Sequence, residues 1–136
     1  MTDLSRSDPL AAVSPLDGRY SRRTAPLSPY ASESGLMRAR VRVEADYLIA
    51  LADLDAVDLE LTDAEGDAVR NTYEAFDGDD AELIKTLEVE GAAGYNATNH
   101  DVKAVEYFLR VRLGEHDAVN NAERLYPWLH FGLTSE

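Results

Sequence analysis

Apolar residues recur at helical spacing through a long stretch in the first half of the chain, and this period constrains the fold most. Between residues 33 and 57 they follow one another at intervals of four, four, three and four, at Met37, Val41, Ala45, Leu48 and Ala52. That spacing places them on one face of an amphipathic helix. No segment alternates polar and apolar residues as a half-buried strand would, and no internal repeat is visible. The sequence therefore predicts an all-α fold.

Three arginines, Arg38, Arg40 and Arg42, alternate with the apolar positions along the first half of this helix. Successive even positions do not share a helix face. We therefore expect these arginines to be solvated or paired with Glu44 and Asp46, rather than to line an anion site.

Further helices are predicted downstream. Residues 62–65 read Thr-Asp-Ala-Glu, which is a capping box, and the helix that they open is predicted to end at Gly78. Asp79 is predicted to cap the next helix, which ends before Gly91. The side chains predicted to point inward from these two helices are Val69, Tyr73, Phe76, Leu83, Ile84 and Leu87. The small residues of 91–97 predict a flexible loop, and the aromatics of 125–131 are predicted to lie in the core.

Residues 98–113 begin with Thr-Asn-His-Asp and continue as an amphipathic helix. The free N–H groups and the dipole of a helix start favour a small anion, so Asn99, His100 and Asp101 are candidate ligand-binding residues. His100 has two interpretations. It is either a general acid or ligand donor beside Asp101, or a polar residue that merely occupies a helix start.

The first 32 residues hold four of the five prolines and have no sustained period, so an extended arm is predicted. Within it, residues 14–20 read Ser-Pro-Leu-Asp-Gly-Arg-Tyr, a turn in which glycine would permit a left-handed conformation. The turn presents Arg19 and Tyr20, a pair suited to a phosphate or carboxylate. The alternative is a surface turn with a solvated arginine.

Acidic side chains outnumber basic ones by 26 to 13, which gives a formal net charge of −13. This charge argues against nucleic acid or an anionic membrane as a partner. The pattern is typical of a high-salt cytoplasm, such as that of a halophilic archaeon, and the alternative is an ordinary acidic protein. Cysteine is absent, so disulfides and thiolate chemistry are excluded. With neither a signal peptide nor an apolar run of the ~20 residues that a membrane helix needs, a cytoplasmic protein is predicted.

Three segments in order, 14–20, 98–107 and the final His-Phe-Gly-Leu-Thr-Ser-Glu of 130–136, together resemble the adenylosuccinate lyase family of the fumarase and aspartase superfamily. The resemblance covers the whole chain but only about the first third of the family's length. It implies an all-α N-terminal lyase domain that begins with an extended arm. We therefore expect an arm at 1–32, a helical lyase domain at 33–116, and the start of a central helical bundle at 117–136, truncated before the rest of it.

The resemblance implies a β-elimination without cofactor or metal, which splits adenylosuccinate into AMP and fumarate and releases fumarate from the related succinyl-carboxamide ribotide of purine synthesis. By position, Arg19 and Tyr20 are expected to bind the nucleotide, and Asn99, His100 and Asp101 the substrate. Thr134 and Ser135 match the hydroxyl pair that binds the succinyl part. The family's homotetramer would apply to a full-length chain.

Two departures from the family are visible. The family's proton-donating histidine and its catalytic serine lie in later segments that this sequence does not contain, so the 136 residues alone are expected to be inactive. The loop at 91–97 is also longer than the family's usual approach to residue 98. The alternative function is a non-catalytic, acidic helical module that binds a nucleotide or a protein.

Overall fold

The computed structural model describes residues 8–134, which divide into two compact units after Leu36. Most of these residues are helical, with one small two-stranded sheet, so the predicted all-α class is confirmed in the main. No helix within 8–134 is long and apolar enough to cross a bilayer. The same residues contain no cluster of three or more side chains that could hold a metal ion.

The first unit is wound into turns and short helices, so the prediction of an extended arm is wrong for its described part. It contains α1 (Ser21–Thr24), a 3-10 helix (Ala25–Leu27) and α2 (Ser28–Ala31). Pro26 and Pro29 lie in the first turns of the 3-10 helix and of α2. A proline is tolerated there because the first N–H groups of a helix have no partner, so prolines at this spacing start short helices.

The long helix α3 (Glu33–Ala52) ends five residues before the predicted limit of 57. Four of the five predicted inward positions are buried, whereas Ala52 is only partly buried and Leu51 lies in the core instead. The members of this row that belong to the main hydrophobic core are Met37, Val41, Ala45, Leu48 and Leu51.

Capping residues set the starts of the next two helices, α4 (Asp63–Glu74) and α5 (Gly78–Val89). Thr62 caps α4 in the predicted capping box with Glu65. The cap of α5 is Asp77 and not the predicted Asp79, because the Asp77 carboxylate accepts hydrogen bonds from the N–H groups of residues 79 and 80. Gly78 is therefore the first residue of α5, not the end of the preceding helix.

The predicted flexible loop is a tight hairpin between β1 (Gly91–Ala92) and β2 (Tyr95–Asn96), paired antiparallel. Its two central residues, Ala93 and Gly94, have φ angles of 50° and 85°, the combination that a two-residue type I′ turn requires. At Gly91, a Cβ atom would lie 2.6 Å from the carbonyl oxygen of Tyr95, so glycine is needed there for close approach as well. The hairpin therefore holds the chain in a defined path from α5 to residue 98.

The most buried element is α6 (Asp101–Glu115), which packs along α5. Five of its side chains have no exposed surface: Ala104, Val105, Phe108, Leu109 and Leu113. The Phe108 ring meets the edge of the Phe76 ring, with centroids 5.9 Å apart.

After α6 the chain makes two 3-10 helices, Ala122–Arg124 and Tyr126–Trp128. Leu125 and Leu129 enter the core, and Tyr126 and Trp128, two of the aromatics predicted to lie there, are only partly buried against it. Phe131, predicted to be a core residue, is half exposed. Its ring lies against the edge of the Trp128 ring, 5.0 Å away between centroids, so it packs at the surface of the unit.

Loss of the α4 cap is expected to destabilise the chain. The Thr62 hydroxyl accepts from the N–H of Glu65 at 3.2 Å, and caps of this type contribute about 1 kcal/mol. We therefore expect Thr62→Ala to lower the free energy of unfolding by about 1 kcal/mol in urea denaturation followed by circular dichroism. Thr62→Ser, which keeps the hydroxyl, is the control and should lose less than half of that. Equal losses in both variants would show that the hydroxyl does not act as a cap.

Candidate functional site

The segment that leads into α6 is held by the end of α5. The N–H groups of Thr98 and Asn99 donate to the carbonyl oxygens of Leu87 and Glu88 at 3.0 and 2.8 Å. The Thr98 hydroxyl accepts from the N–H of His100 at 3.1 Å and donates to its carbonyl at 2.8 Å. Asn99 has a φ of 49°, a left-handed conformation that asparagine tolerates better than most residues. These contacts fix the backbone just before His100.

His100 is the N-cap of α6. Its Nδ1 accepts a hydrogen bond from the N–H of Lys103 at 3.2 Å. An acceptor Nδ1 carries no proton, so the ring proton of the neutral imidazole is on Nε2. The capping bond therefore fixes both the tautomer and the orientation of a ring that is two-fifths exposed. The structure thus shows His100 as the cap of the helix start and leaves Nε2–H as the group that a ligand would meet.

Asp101 is neutralised by a residue from α3. Its Oδ2 lies 2.7 Å from the Arg40 guanidinium, and its Oδ1 accepts from the N–H of Val102 at 2.8 Å. Burial alone would raise the pKa of Asp101, but the hydrogen bonds from Arg40 and Val102 and the charge of Arg40 outweigh it, so the pKa lies below its ordinary value. Asp101 is consequently a carboxylate whose charge is balanced locally.

The expected anion site at the N–H groups of the helix start is already filled by side chains of the segment itself. The N–H of Val102 bonds to Asp101, and that of Lys103 bonds to His100. A ligand would have to displace these bonds to use the two groups. The chemistry on offer at this site therefore comes from side chains more than from backbone dipoles.

A cleft of about 470 Å³ lies beside this helix start, between residues 94–98 and the first two turns of α6. Lys103 and Tyr107 line the α6 side of this hairpin cleft, and Tyr95 stacks on Tyr107 with ring centroids 4.3 Å apart. The Lys103 ammonium group pairs with the buried Glu106 at 2.8 Å. The cleft thus offers an aromatic wall and a partly neutralised cation next to Thr98.

Arg19 and Tyr20 lie in the first unit, at the turn that precedes α1. The Arg19 guanidinium carbon is 5.2 Å from the centre of the Tyr20 ring, and the Arg23 guanidinium carbon is 5.7 Å from it. Gly18 does not have the predicted left-handed φ. It is required for space, because a Cβ atom there would lie 2.3 Å from the carbonyl oxygen of Pro9. The turn brings two arginines to one phenol ring.

Thr134 is the last described residue and is exposed; Ser135 lies outside the described residues. The residues before Thr134 are tied to α3. His130 Nδ1 lies 2.5 Å from Glu44 Oε1, and the Tyr47 hydroxyl donates to the carbonyl oxygen of Phe131 at 2.8 Å.

Sequence reasoning missed Arg40 and Glu44 as contacts of the candidate segments. Of the expected arginine pairs, only Arg42 with Asp46 is observed, at 3.4 Å, since Glu44 bonds to His130 instead. The one available signal was the spacing of positions 40, 44 and 47, which share a face of α3.

Comparison with known proteins gives a consistent result. The chain is 39% identical over 130 residues to the adenylosuccinate lyase of Dictyostelium discoideum, and 39% identical over 132 residues to that of Escherichia coli K12. It is 40% identical over 130 residues to the adenylosuccinate lyase of Haemophilus influenzae. The chain is similar to part of an adenylosuccinate lyase. Each match covers 93% of this chain, so each includes residues 98–113.

The chain spans about a quarter, 26%, of the length of these adenylosuccinate lyases. No protein-family model matches the chain. The resemblance noted in the three sequence segments is therefore supported by whole-chain similarity to adenylosuccinate lyases from a slime mould and from bacteria.

The Arg40–Asp101 contact predicts how the pKa of Asp101 responds to the loss of Arg40. Because the pKa of folded Asp101 is lowered, the pair contributes stability above the ordinary pKa of an aspartate, and that contribution is lost as the pH falls through the lowered pKa. Since the Asp101 side chain is half exposed, the contribution is at most about 1 kcal/mol. We expect Arg40→Gln to raise the pKa of Asp101 towards its ordinary value in a carbon-detected NMR titration.

The matched control is Arg42→Gln, which removes an arginine of the same helix whose partner is Asp46. It should leave the titration of Asp101 unchanged. If both variants moved the Asp101 titration equally, general charge and not the Arg40 contact would be its cause.

Proposed function

We propose that the protein containing this chain is an adenylosuccinate lyase. It would release fumarate from adenylosuccinate to give AMP, and from succinyl-aminoimidazole-carboxamide ribotide in purine biosynthesis. The observation that carries the proposal is the 35–40% identity to adenylosuccinate lyases over 93% of the chain. The position of His100 at the helix start, within the matched region, supports it.

The reaction breaks a C–N bond and forms a C=C bond. One proton leaves the carbon next to the one that carries nitrogen, and one proton is delivered to the departing nitrogen. Resemblance to the family assigns the groups that move these protons to other segments of the enzyme. The part proposed for this chain is to bind and orient a substrate that carries a succinyl dianion and a phosphate.

His100 is proposed to contact the substrate through Nε2–H, because Nδ1 is used by the cap of α6. Asn99 and Asp101 flank it and are proposed as further substrate contacts. The Arg40 pair reduces the repulsion that the Asp101 carboxylate would exert on an anionic substrate. A polar group held in one orientation can act on developing charge without reorganisation, and this supports an acid or electrostatic role for His100.

The remaining substrate contacts are proposed by position in the family. Arg19 and Tyr20 are proposed to bind the nucleotide at its phosphate, for which an exposed arginine stacked on a phenol is suitable. Thr134 and Ser135 are proposed to bind the succinyl part. We further propose the division into an arm at 1–32, a lyase domain at 33–116 and the start of the helical bundle at 117–136.

The setting is also proposed by analogy and composition. The full-length protein would form a homotetramer in the cytoplasm and use no cofactor. The net charge of −13 supports an origin in a high-salt cytoplasm, such as that of a halophilic archaeon, where salt screens self-repulsion.

The direct test is fumarate release by the full-length protein. We expect fumarate and AMP in equal amounts from adenylosuccinate, and the reaction can be followed by the ultraviolet absorbance of the substrate. We expect no fumarate from argininosuccinate, which shares the succinyl group but lacks the nucleotide. Saturable AMP binding without any fumarate would instead support the non-catalytic nucleotide-binding module.

Substitution of His100 separates its two roles. Asparagine is among the best N-cap residues, whereas alanine is not, so His100→Asn should keep the stability of α6 and His100→Ala should lose about 1 kcal/mol. Both variants lack the imidazole, and we expect both to lower kcat by about 10²-fold or more in the full-length enzyme. If His100→Asn kept near-normal kcat while His100→Ala lost it, capping alone would explain the residue.

A further inference from the structure

We propose that Glu44 and Tyr47 are positioning residues, which hold residues 130–133 so that Thr134 is placed to bind the succinyl group of the substrate. Neither residue lies in one of the three segments that resemble the family, 14–20, 98–107 and 130–136. The inference rests on the proposed function. It is carried by two contacts that reach from one face of α3 to two consecutive residues just before Thr134.

The first contact is a buried pair. Glu44 is only 6% exposed, and its Oε1 lies 2.5 Å from His130 Nδ1. When Glu44 is ionised it can only accept a hydrogen bond, so His130 Nδ1 donates. The second oxygen, Oε2, is buried and has no hydrogen-bond partner among the described residues. The His130 bond is therefore the one described hydrogen bond of a carboxylate placed in the interior.

A buried pair of this kind is weak evidence for stability, since an apolar pair of the same volume is often as stable. It does impose geometry, because a hydrogen bond is directional and this one ties the ring of His130 to Oε1 of Glu44. An interior carboxylate on α3 therefore fits a positioning role better than a stabilising one.

The second contact fixes the next residue. The Tyr47 hydroxyl donates to the Phe131 carbonyl oxygen at 2.8 Å. The backbone around these two contacts takes left-handed conformations, with a φ of 60° at His130 and of 71° at Gly132. Left-handed conformations of this kind are costly for a non-glycine residue and persist only where surrounding contacts impose them. The N–H of Leu133 then bonds to the His130 carbonyl at 3.2 Å and closes the turn.

The same helix face also holds the other candidate segment. Arg40, Glu44 and Tyr47 are spaced by four and three residues, so they lie in one row along about 10 Å of α3. Arg40 contacts Asp101 at the start of α6, and the other two contact residues 130 and 131. This polar row of α3 is a common support for two segments that are proposed to bind one substrate.

A positioning role matters for the rate because the groups that contact a substrate must be held in a close geometry. A displacement of about 1 Å can cost about 10²-fold in rate even when the changed residue lies away from the chemistry. Thr134 follows His130 by four residues through a closed turn, so a shift of His130 is passed on to it.

The test measures the two halves of the substrate separately in the full-length enzyme, through inhibition by each product. We expect Glu44→Gln, which keeps the size of the side chain but removes its charge, to raise KM and to raise the inhibition constant of fumarate by about tenfold, or about 1.4 kcal/mol. The inhibition constant of AMP should stay within twofold of wild type. Tyr47→Phe should also raise the inhibition constant of fumarate. In the double variant the two effects on this constant should not add, because both residues hold one turn.

Glu65→Gln is the matched control for a merely structural effect. Glu65 is also a buried carboxylate with a cationic partner, Arg124, but its described side-chain contacts are with residues 62, 120 and 124. We expect it to lower thermal stability and leave both inhibition constants unchanged. Arg19→Ala is the converse control, which should raise the inhibition constant of AMP and leave that of fumarate unchanged.

The outcomes separate the positioning role from the proposed function. An active wild type in which Glu44→Gln leaves the fumarate inhibition constant within twofold would overturn the positioning role alone. Equal weakening of fumarate and AMP would also overturn it, since it would indicate general damage to the site. A folded wild type that releases no fumarate would overturn the proposed function, and with it the ligand assigned to Thr134.

Discussion

The structure depends first on the burial of α6 in a core that it shares with α3. Ala104, Val105, Phe108, Leu109 and Leu113 have no exposed surface, and burial of each large side chain among them contributes about 1.5–3 kcal/mol. Because these positions form one broad, fully buried face of the helix, α6 can neither rotate nor slide without opening cavities. The same packing therefore fixes the place of its first residue and of the His100 cap. The packing of the core thus determines where the candidate site residues at the start of α6 lie.

Polar contacts then orient the two candidate binding segments, which the core has already positioned. The Arg40–Asp101 pair is partly exposed and the Glu44–His130 pair is mostly buried, so neither adds much to net stability. Both are directional, however, and both start from the polar row of α3. One helix thus presents an apolar row to the core and a polar row to two candidate binding segments. The interior carboxylate of Glu44 belongs to this polar row.

Features fixed by short-range interactions could be predicted from the sequence. The period of α3, the Thr62 capping box and the helix that follows His100 depend on residues only a few positions apart. The errors at Asp79 and at the hairpin had local causes too, since a neighbouring aspartate competed for the cap and Ala93 gives little sign of a left-handed turn. The contacts that organise the candidate site could not be predicted, because Arg40 meets Asp101 across 61 positions and Glu44 meets His130 across 86.

Charge gives the candidate site its remaining constraint. A chain with a net charge of −13 repels an anionic substrate at long range, so capture must depend on cations close to the site. Several such cations are already engaged, as Arg40 is with Asp101 and Lys103 with Glu106. These pairs remove two negative charges from the walls of the site without presenting a free cation. The ion pairs therefore lower the local repulsion of an anionic ligand more than they attract it. High salt, with a Debye length of about 3 Å at 1 M, would screen the repulsion by the distant acidic residues and so favour binding of the same ligand.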